Sequence, residues 1–409
     1  MDIKELLKEK IKSAKDLINK NMPNVSKFLC DMIKIPSLSG SETNIITRIK
    51  KEMVKCLFDN IYIDRIGNII GRIGNGKKII LMEAHIDVVD ALSLNLWKNE
   101  PFNGIIRNGR IYGRGAADQK GAIAAMLYSA YILKKLNLLG NYSLFIAGTV
   151  MFEKCPGIGL EHLIGNEKLN PNCVIITAPT NLNIHIAQKG HLQLKLSVYG
   201  KSSHSGLGEL SKSAIYKNLQ ILQVIKKINQ KLKSDKYTGK NKISVTGVVT
   251  KNPEEYTIPS LCEIYLDFQL SPNMTKNNAL NQIKKYFNKF SNIEIDITKY
   301  NGYSYKEYKI LYEKYLPGWH IEKKSKLIRI AEDTYKLIYN KAPQFSFWQI
   351  PTSGSISMGK FKIPTLGFGP GNVKDIHTEN ESISIEQIRK SMLFYIFFPL
   401  IYSEYENLF

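Results

Sequence analysis

The sequence predicts an α/β protein in which a smaller domain is inserted into a larger one. Its 409 residues are enough for two domains. Over residues 1–190, apolar runs typical of strands alternate with helical patterns, which favours a sheet with helices on its faces. Over 191–300 the elements follow the order β-α-β-β-α-β of the ferredoxin-like split unit, and helix–strand alternation resumes over 301–409. The larger domain is therefore predicted to be discontinuous, formed by 1–190 and 301–409.

The spacing of apolar residues predicts the elements of the larger domain in chain order, beginning with helical spacing at the N-terminus. Before the insertion, the predicted helices span 24–35, 42–56 and 121–136. The predicted strands there span 61–64, 68–73, 78–86, 142–151 and 173–177. After the insertion, a helix is predicted at 324–339, a strand at 364–368 and a helix at 383–396.

The inserted segment shows the same kinds of pattern in a different order. Its predicted strands span 192–199, 242–250, 261–270 and 293–298, and its predicted helices span 212–231 and 276–290. Pro253 and Pro259 lie between the two middle strands and mark the connection.

Composition narrows the class of protein. Lys and Arg total 57 against 36 Asp and Glu, a net charge of +21, which could indicate binding to nucleic acid or to an anionic membrane. Only eight of these are Arg, and the lysines are spread along the chain with many Asn, Ile and Tyr, which is typical of compositional drift. Nucleic-acid binding is therefore the least favoured function.

Cysteine usage and apolar runs predict a cytoplasmic protein. The five cysteines are odd in number and form no CxxC pair, which favours a reducing compartment over a disulfide framework. The N-terminus has no apolar signal region, and no run approaches the roughly 18–20 apolar residues of a membrane span.

His85 and Asp87 close the predicted strand 78–86. Side chains two residues apart on a strand point to the same side. The Asp87 carboxylate could then accept a hydrogen bond from one imidazole nitrogen and leave the other free for a metal. Taken alone, a His-x-Asp pair is more often structural than ligating.

Two further carboxylates lie beside predicted strands or loops. Asp118 lies in the glycine-rich segment 113–121 (GRGAADQKG), which by itself fits a tight helix-packing turn as well as a loop that fixes the aspartate. Glu153 follows the predicted strand 142–151. Strand ends are where α/β sheets place ligands.

Two histidines complete the set of candidate residues. His377 lies in the loop 369–381, and two histidines with two or three carboxylates suit zinc. His204 follows the first strand of the inserted segment. A turn histidine there is usually just exposed, and a functional one would have to reach an active site from a lid.

Taken in order, these segments resemble the di-zinc metallopeptidase and deacylase superfamily, which includes aminoacylase, acetylornithine deacetylase, succinyl-diaminopimelate desuccinylase and carboxypeptidase-type enzymes. The resemblance covers nearly the whole chain. Its segments are 84–89 (AHIDVV), 113–121 (GRGAADQKG), 148–153 (GTVMFE), 203–205 (SHS), 266–272 (LDFQLSP) and 377–381 (HTENE). The segments 148–157, 203–217 and 363–371 most resemble the putative hydrolases linked to selenium metabolism.

The resemblance implies a zinc-aminopeptidase-like mixed-sheet catalytic domain with an inserted lid, 191–300, that also forms a homodimer. It implies a metal site with the ligands His85, Asp118, Glu153 and His377. Asp118 would bridge two zinc ions, one held by His85 and the other by the remaining two ligands.

The resemblance also implies two catalytic residues outside the ligand set. Asp87 would orient His85. His204 would cross the dimer and stabilise the oxyanion on the partner's substrate.

The chain departs from the family pattern at the general base. The family has two consecutive glutamates, the first a general base and the second a ligand, where this chain has Phe152 and Glu153. A register slip of one residue would make Glu153 the base and Lys154 the ligand. A protonated lysine is a poor zinc ligand, so the register without a slip is favoured.

Two more departures affect the second metal and the substrate. Ala178, in the segment TAPT, stands where the family has the last carboxylate ligand of the zinc held by His85. Gln269 stands where the lid is expected to carry a substrate-binding arginine, and a neutral amide cannot form the bidentate charged pair. Gly354 is the other implied substrate-binding position.

These losses leave two functional hypotheses. One site keeps three ligands and an open position, which suits a catalytic zinc, although cobalt or manganese share such ligands. The chain could be a metal-dependent hydrolase of small amides or peptides in which His204, Cys155 or Lys154 supplies the missing proton transfer. Alternatively, it could be a catalytically impaired family member that binds a ligand or a partner.

Overall fold

The computed structural model describes residues 3–207, 212–250 and 256–408, and these fold into helices packed on two main β-sheets. The helices are α1 (Ile3–Ile33), α2 (Thr43–Lys55), α3 (Gly121–Lys135), α4 (Ile158–Gly165), α5 (Ala214–Lys231), α6 (Lys276–Phe287), α7 (Lys326–Tyr339) and α8 (Ile385–Leu408). The strands are β1 (Asn60–Ile63), β2 (Ile69–Ile73), β3 (Lys78–His85), β4 (Ile105–Arg107), β5 (Arg110–Tyr112), β6 (Tyr142–Thr149), β7 (Cys173–Ile176), β8 (Ile184–Gln188), β9 (Gly190–Tyr199), β10 (Ser203–His204), β11 (Ser234–Asp235), β12 (Gly239–Lys240), β13 (Lys242–Thr250), β14 (Thr257–Ile258), β15 (Leu261–Leu270), β16 (Ile293–Ile297), β17 (Lys299–Tyr303), β18 (Lys309–Glu313), β19 (Tyr315–Leu316), β20 (Trp319–His320), β21 (Phe345–Trp348), β22 (Thr365–Gly367) and β23 (Ser382–Ser384).

The larger sheet is mixed and has the order β1-β2-β6-β3-β7-β22-β8-β20, with β21 also paired to β8. The central strand β3 runs parallel to both of its neighbours, β6 and β7, whereas β1 and β2 are antiparallel. All of β3 after its first two residues is buried, as expected for a strand covered on both faces. This sheet confirms the predicted mixed α/β fold.

Helix α3 lies between the other long helices of the body, against α1 and α8. Its first turns are rich in alanine and are buried on all sides. Small side chains let the neighbouring backbones approach closely, so the sequence GAIAAM serves packing in addition to following the loop that carries Asp118.

The second sheet has the order β13-β15-β9-β16, with β19 added beside β9, and all of its pairings are antiparallel. Strand β15 alternates, because Ile264, Leu266 and Phe268 point into an apolar cluster with α5 and α6 that is separate from the core of the larger sheet. The chain order β9-α5-β13-β15-α6-β16 is the predicted βαββαβ order. Because β19 lies beyond residue 300, this lid sheet also draws on a later segment, and the domain boundaries stay a prediction.

The largest differences from the predicted elements lie at the ends of the chain. Helix α1 is one continuous helix from Ile3 to Ile33 that passes through Pro23, whereas the predicted helix spans only 24–35. Helix α8 begins two residues later than predicted and continues to Leu408. The short strands β4, β5 and β23 form a small third sheet that the sequence did not predict, because three residues carry too little periodicity. None of the described helices is both long and apolar enough to span a bilayer.

Candidate metal centre and adjoining cleft

Four side chains that the sequence analysis selected as metal ligands lie together beside the carboxyl ends of β3 and β6. The carboxylate of Asp118 lies between two imidazoles, with Oδ1 3.1 Å from His85 Nε2 and Oδ2 3.1 Å from His377 Nε2. His377 Nε2 is also 3.3 Å from Glu153 Oε1. His85, Asp118 and Glu153 each offer a ligand atom within 4.8 Å of the others. The fold therefore brings together residues from distant segments, of which His85 and His377 are 292 positions apart in the sequence.

The electrostatics of this cluster favour a cation between its carboxylates. Burial acts to lower the pKa of His85, but the Asp118 carboxylate overrides it and raises that pKa to about 10. Hydrogen bonds to Asp118 and Glu153 raise the pKa of His377 to about 10. Burial acts to raise the pKa of Asp118, and the two imidazoles nevertheless hold it below its ordinary value. The carboxylates thus draw positive charge into the site, as the ligands of a divalent cation do.

The position of Glu153 is fixed by a turn over residues 150–153. Each of its four backbone amides donates to a buried side-chain oxygen at 2.9 to 3.0 Å. The donor–acceptor pairs are Val150 with Asn68, Met151 with Glu42, Phe152 with Asp87, and Glu153 with Asp87. Met151 adopts a positive φ of 65°, a conformation that such a set of hydrogen bonds can stabilise. Sequence reasoning missed Glu42 and Asn68, since neither stands in a motif that suggests this role.

The expectation that the imidazole of His85 donates to the Asp87 carboxylate is wrong in the acceptor atom. His85 Nδ1 lies 2.9 Å from the backbone carbonyl oxygen of Asp87 and 3.7 Å from its Oδ1. Strand β3 ends at His85, so the alternation of side chains does not extend to Asp87. The carboxylate instead accepts from the amides of residues 152 and 153 and from Ser39 Oγ at 2.6 Å. The carbonyl contact still directs the other nitrogen, Nε2, towards Asp118.

Phe152 packs directly against the cluster of candidate metal ligands. Its ring stacks on the imidazole of His85 with the ring centres 4.3 Å apart and the planes 2° from parallel. Ala178 is buried just beyond β7, the strand next to β3. A phenyl ring and a methyl group offer no ligand atom and no proton acceptor. That these two residues leave the site without a general base and without one metal ligand stays a prediction.

Glu83 is a buried acid two residues before His85 on β3. Its Oε1 accepts hydrogen bonds from the hydroxyls of Thr149 at 2.6 Å and Ser353 at 2.8 Å. Burial raises the pKa of Glu83. This carboxyl group is therefore engaged in holding β3 to β6 and to the loop that carries Ser353.

The loop that carries Asp118 is held by Glu381. Glu381 Oε1 accepts from the amides of Ala117 at 2.9 Å and Asp118 at 3.1 Å, and Oε2 accepts from the guanidinium of Arg114 at 2.9 Å. Burial and the charge of Asp118 raise the pKa of Glu381 to about 7. His377 lies four residues before Glu381. The same loop therefore carries the candidate ligand His377 and the residue Glu381, which holds the loop of a second candidate ligand, Asp118.

Three predicted residues do not contact the four clustered side chains within the described part of the chain. His204 is exposed on β10, where its Nδ1 accepts from the amide of Gly206 at 3.1 Å. Gln269 lies on β15 opposite His191 of β9. Gly354 packs against Trp319, whose Nε1 would lie 2.7 Å from a Cβ atom at this position. Their predicted roles on the substrate side stay predictions.

A cavity of about 250 Å³ opens between the lid sheet and the body, and Glu153 forms part of its wall. The lid contributes the pair His191 and Asp267, whose Nδ1 and Oδ1 are 3.1 Å apart, and Lys154 and Lys314 also line the space. Neither Gln269 nor Gly354 belongs to the described lining. Sequence reasoning missed His191 and Lys314, which carry no motif of their own.

A family model described as peptidase family M20/M25/M40 matches residues 81–398, most of the chain. The chain belongs to this family. The superfamily resemblance seen in the sequence is thereby confirmed, and the M20 family is one of metallo-hydrolases that act as peptidases and deacylases.

Similar proteins support this membership, and the chain matches each of those named below over most of its length. The uncharacterized protein YgeY of Escherichia coli strain K12 is 32% identical over 359 residues, covering 88% of this chain and 89% of YgeY, which fits the predicted branch. Succinyl-diaminopimelate desuccinylase of Pelagibacter ubique is 26% identical over 379 residues, covering 88% and 94% of the two chains. The crystal structure of the M20 family metallo-carboxypeptidase Sso-CP2 from Sulfolobus solfataricus superposes with a TM-score of 0.73 at 20% identity, covering 91% of this chain and 98% of that one.

Proposed function

We propose that this M20-family protein binds one divalent cation and a small amide or peptide ligand, and hydrolyses the amide bond far more slowly than a site with both family carboxylates would. The observation that carries the proposal is the stacking of Phe152 on His85, which puts a hydrocarbon ring where the general base is expected. The relatives named as a desuccinylase and a metallo-carboxypeptidase support the amide ligand class.

The donor set fits one complete metal position. Asp118, Glu153 and His377 would hold a zinc ion and leave an open coordination position, and cobalt or manganese would suit the same ligands. A second position would have only His85 and a shared oxygen of Asp118, since Ala178 provides no donor. A bound cation supplies Lewis-acid polarisation of the amide carbonyl.

The residues of the chain itself explain the slow hydrolysis. Attack of water on an amide requires a group that takes a proton and delivers it to the leaving nitrogen, and such help is worth roughly 10²–10⁴ in rate. Phe152 cannot do this. The thiol of Cys155 is a poor substitute, because burial raises its pKa to about 12. Ligand binding would be preserved, because the cavity beside Glu153 remains open.

The proposal includes a homodimer formed through the lid, in a cytoplasmic setting. Strand β13 is at the edge of the lid sheet. Exposed apolar side chains there support a surface that a second subunit covers: Leu219 of α5 and Val248 and Val249 of β13. All five cysteines are buried and free, which supports a reducing compartment.

The test compares the wild type with the double variant Phe152→Glu, Ala178→Glu. We expect about one bound cation per wild-type chain and about two in the variant, measured by elemental analysis after dialysis against zinc. We expect the variant to hydrolyse N-acyl amino acids or dipeptides about 10²–10⁴ times faster than the wild type. The matched control Phe152→Gln, Ala178→Gln restores the polarity and size of the side chains without their charge, and should gain neither cation nor rate.

Two outcomes would contradict the proposal. Two tightly bound cations in the wild type would show that a second position is complete without a carboxylate at position 178. Wild-type turnover as fast as that of the double variant, abolished by His377→Ala, would show that another group acts as the base.

A further inference from the structure

The cavity between lid and body is small and lies beside the candidate metal ligand Glu153. Its volume of about 250 Å³ lies just below the range of pockets that enclose drug-sized molecules. This size favours a compact ligand such as a single acylated amino acid. Polar groups in its wall would then decide which ligands bind.

Lys314 is held in the wall of this cavity by its backbone. Its amide donates to the carbonyl oxygen of Thr298 at 2.9 Å, and its own carbonyl oxygen accepts from the amide of Gln193 at 3.0 Å. Gln193 also lines the cavity. The backbone of Lys314 is therefore fixed where the lid sheet meets the body.

The carboxylates nearest to Lys314 along the chain or in the cavity wall already have other partners. Glu313 is paired with Lys276 at 2.8 Å. Asp267 faces His191 with both oxygens, at 3.1 and 3.2 Å. Glu153 lies against His377 at 3.3 Å. Among the described residues, the ammonium of Lys314 has no hydrogen-bond or ion-pair partner.

Lys314 is partly buried, and a positive charge without a carboxylate partner in the wall of a cavity favours the entry of an anion. An anion brought into the cavity would supply the ion pair that Lys314 lacks among the described residues. Lys154, which lines the same space and donates to the carbonyl oxygen of Ser39 at 3.1 Å, adds a second positive charge. Gln269, in contrast, is neutral and lies outside the lining.

We propose that Lys314 is the anion-recognising residue of this cavity and that the ligand carries a carboxylate held by its ammonium. The inference rests on the proposed ligand-binding function and names the part of the ligand that is recognised. It moves the anchor for a ligand carboxylate from the lid strand that carries Gln269 to the segment that joins β18 and β19.

The test uses pairs of probes that differ only in the charge of one group: N-acetylglycine and N-acetylmethionine against their primary amides. Affinities are measured by calorimetry and by ligand-observed NMR on the purified full chain. We expect the acids to bind about tenfold more tightly than the amides, since a charge-assisted hydrogen bond is lost in the amides. The preference should shrink at high salt.

Variants of the chain decide whether Lys314 is responsible. Lys314→Gln should reduce the preference for acids to within about twofold, and Lys314→Arg, which keeps the charge, should largely retain it. Lys309→Gln is the matched control, because Lys309 is an exposed lysine on the adjoining strand β18 and should leave the preference unchanged.

The outcomes separate this inference from the proposed function. A preference for acids that survives in Lys314→Gln but disappears in His377→Ala would mean that the cation holds the carboxylate, which overturns the inference and leaves metal binding intact. Equal binding of acids and amides by the wild type, or no binding of any acid up to about 10 mM, overturns it as well. Metal content, measured in parallel, reports on the proposed function alone.

Discussion

At the scale of single residues, the turn at 150–153 shows how a ligand is positioned from a distance. Glu42, Asn68 and Asp87 come from three separate segments, and each accepts a backbone hydrogen bond from this turn. Glu153 can therefore point into the cluster only while these acceptors stay in place. Buried polar groups of this kind are costly to disrupt, because each orphaned amide loses its partner away from water.

Glu42→Gln should change how stability depends on pH. Burial and the nearby Asp87 carboxylate raise the pKa of Glu42 from 4.5 to about 7. The folded chain then keeps a proton that the unfolded chain releases between about pH 4.5 and 7, so the free energy of unfolding falls as pH rises through this window and is level above it. The contribution is up to about 3 kcal/mol.

Urea unfolding at a series of pH values measures this effect. The variant should lose less stability than the wild type between about pH 5 and 7. Glu100→Gln removes an exposed carboxyl group as a control and should follow the wild type. Parallel curves for the wild type and Glu42→Gln would show that Glu42 does not titrate in this window.

The sequence could indicate the residues of the site but not their contacts. His85, Asp118, Glu153 and His377 were predictable because each lies in a segment that resembles the family pattern. The carbonyl contact of Asp87 was not predictable, since it depends on where β3 ends to within two residues. Lys314 has no motif, and its isolation from nearby acids exists only once the chain is folded.

At the scale of elements, the C-terminal end of α1 depends on one fully buried side chain. The ammonium of Lys120 donates to the carbonyl oxygens of Met32 and Ile35, both at 3.0 Å. Carbonyls at the end of a helix lack partners within the helix, so a buried donor there replaces solvent. Lys120 thereby connects α1 to the loop that carries Asp118.

Lys120→Met should destabilise the protein because it removes a buried hydrogen-bond donor from both carbonyls while filling a similar volume. The carbonyl of Met32 keeps its second donor, the amide of Ile35. We expect a loss of about 2 kcal/mol in the free energy of unfolding at pH 7, measured by urea denaturation. Lys12→Met, a control at an exposed position on α1, should change the free energy of unfolding by less than about 0.5 kcal/mol. Equal stabilities of Lys120→Met and the wild type would mean that water or other donors satisfy these carbonyls.

Long periodic elements were predictable, and short ones were not. Strands β13 and β15 match their predicted bounds, because a run of nine or ten residues is long enough for a strand pattern to be recognised. The two-residue strand β19 was missed, since its pairing with β9 is decided by the packing of the lid against the body.

At the scale of the whole molecule, two apolar clusters form separately around the two sheets. The candidate metal residues belong to the body, and the cavity that adjoins them is completed by lid residues such as His191 and Asp267. A ligand in this cavity would therefore touch both parts of the chain. The relative placement of lid and body decides the shape of the cavity, which sequence patterns do not encode.

The proposed dimer predicts that charges on the lid surface will separate the subunits. Leu219 is 52% exposed on α5 and Val248 is 48% exposed on β13. The double variant Leu219→Glu, Val248→Glu should convert a dimer into a monomer in light scattering coupled to size exclusion, because buried like charges oppose association. Leu94→Glu, at an exposed leucine of the body, is the control and should remain dimeric. A monomeric wild type would refute the dimer.

The parallel rings of Phe152 and His85 should also produce a ring-current shift in the proton NMR spectrum of the site. Protons held over the face of a phenyl ring are shielded by its circulating electrons. The imidazole resonances of His85 should therefore appear upfield of their normal position in a proton spectrum, and should move if an ion or a ligand tilts either ring. Phe152, which stands at the expected general-base position, thus makes the site visible to spectroscopy without any added probe.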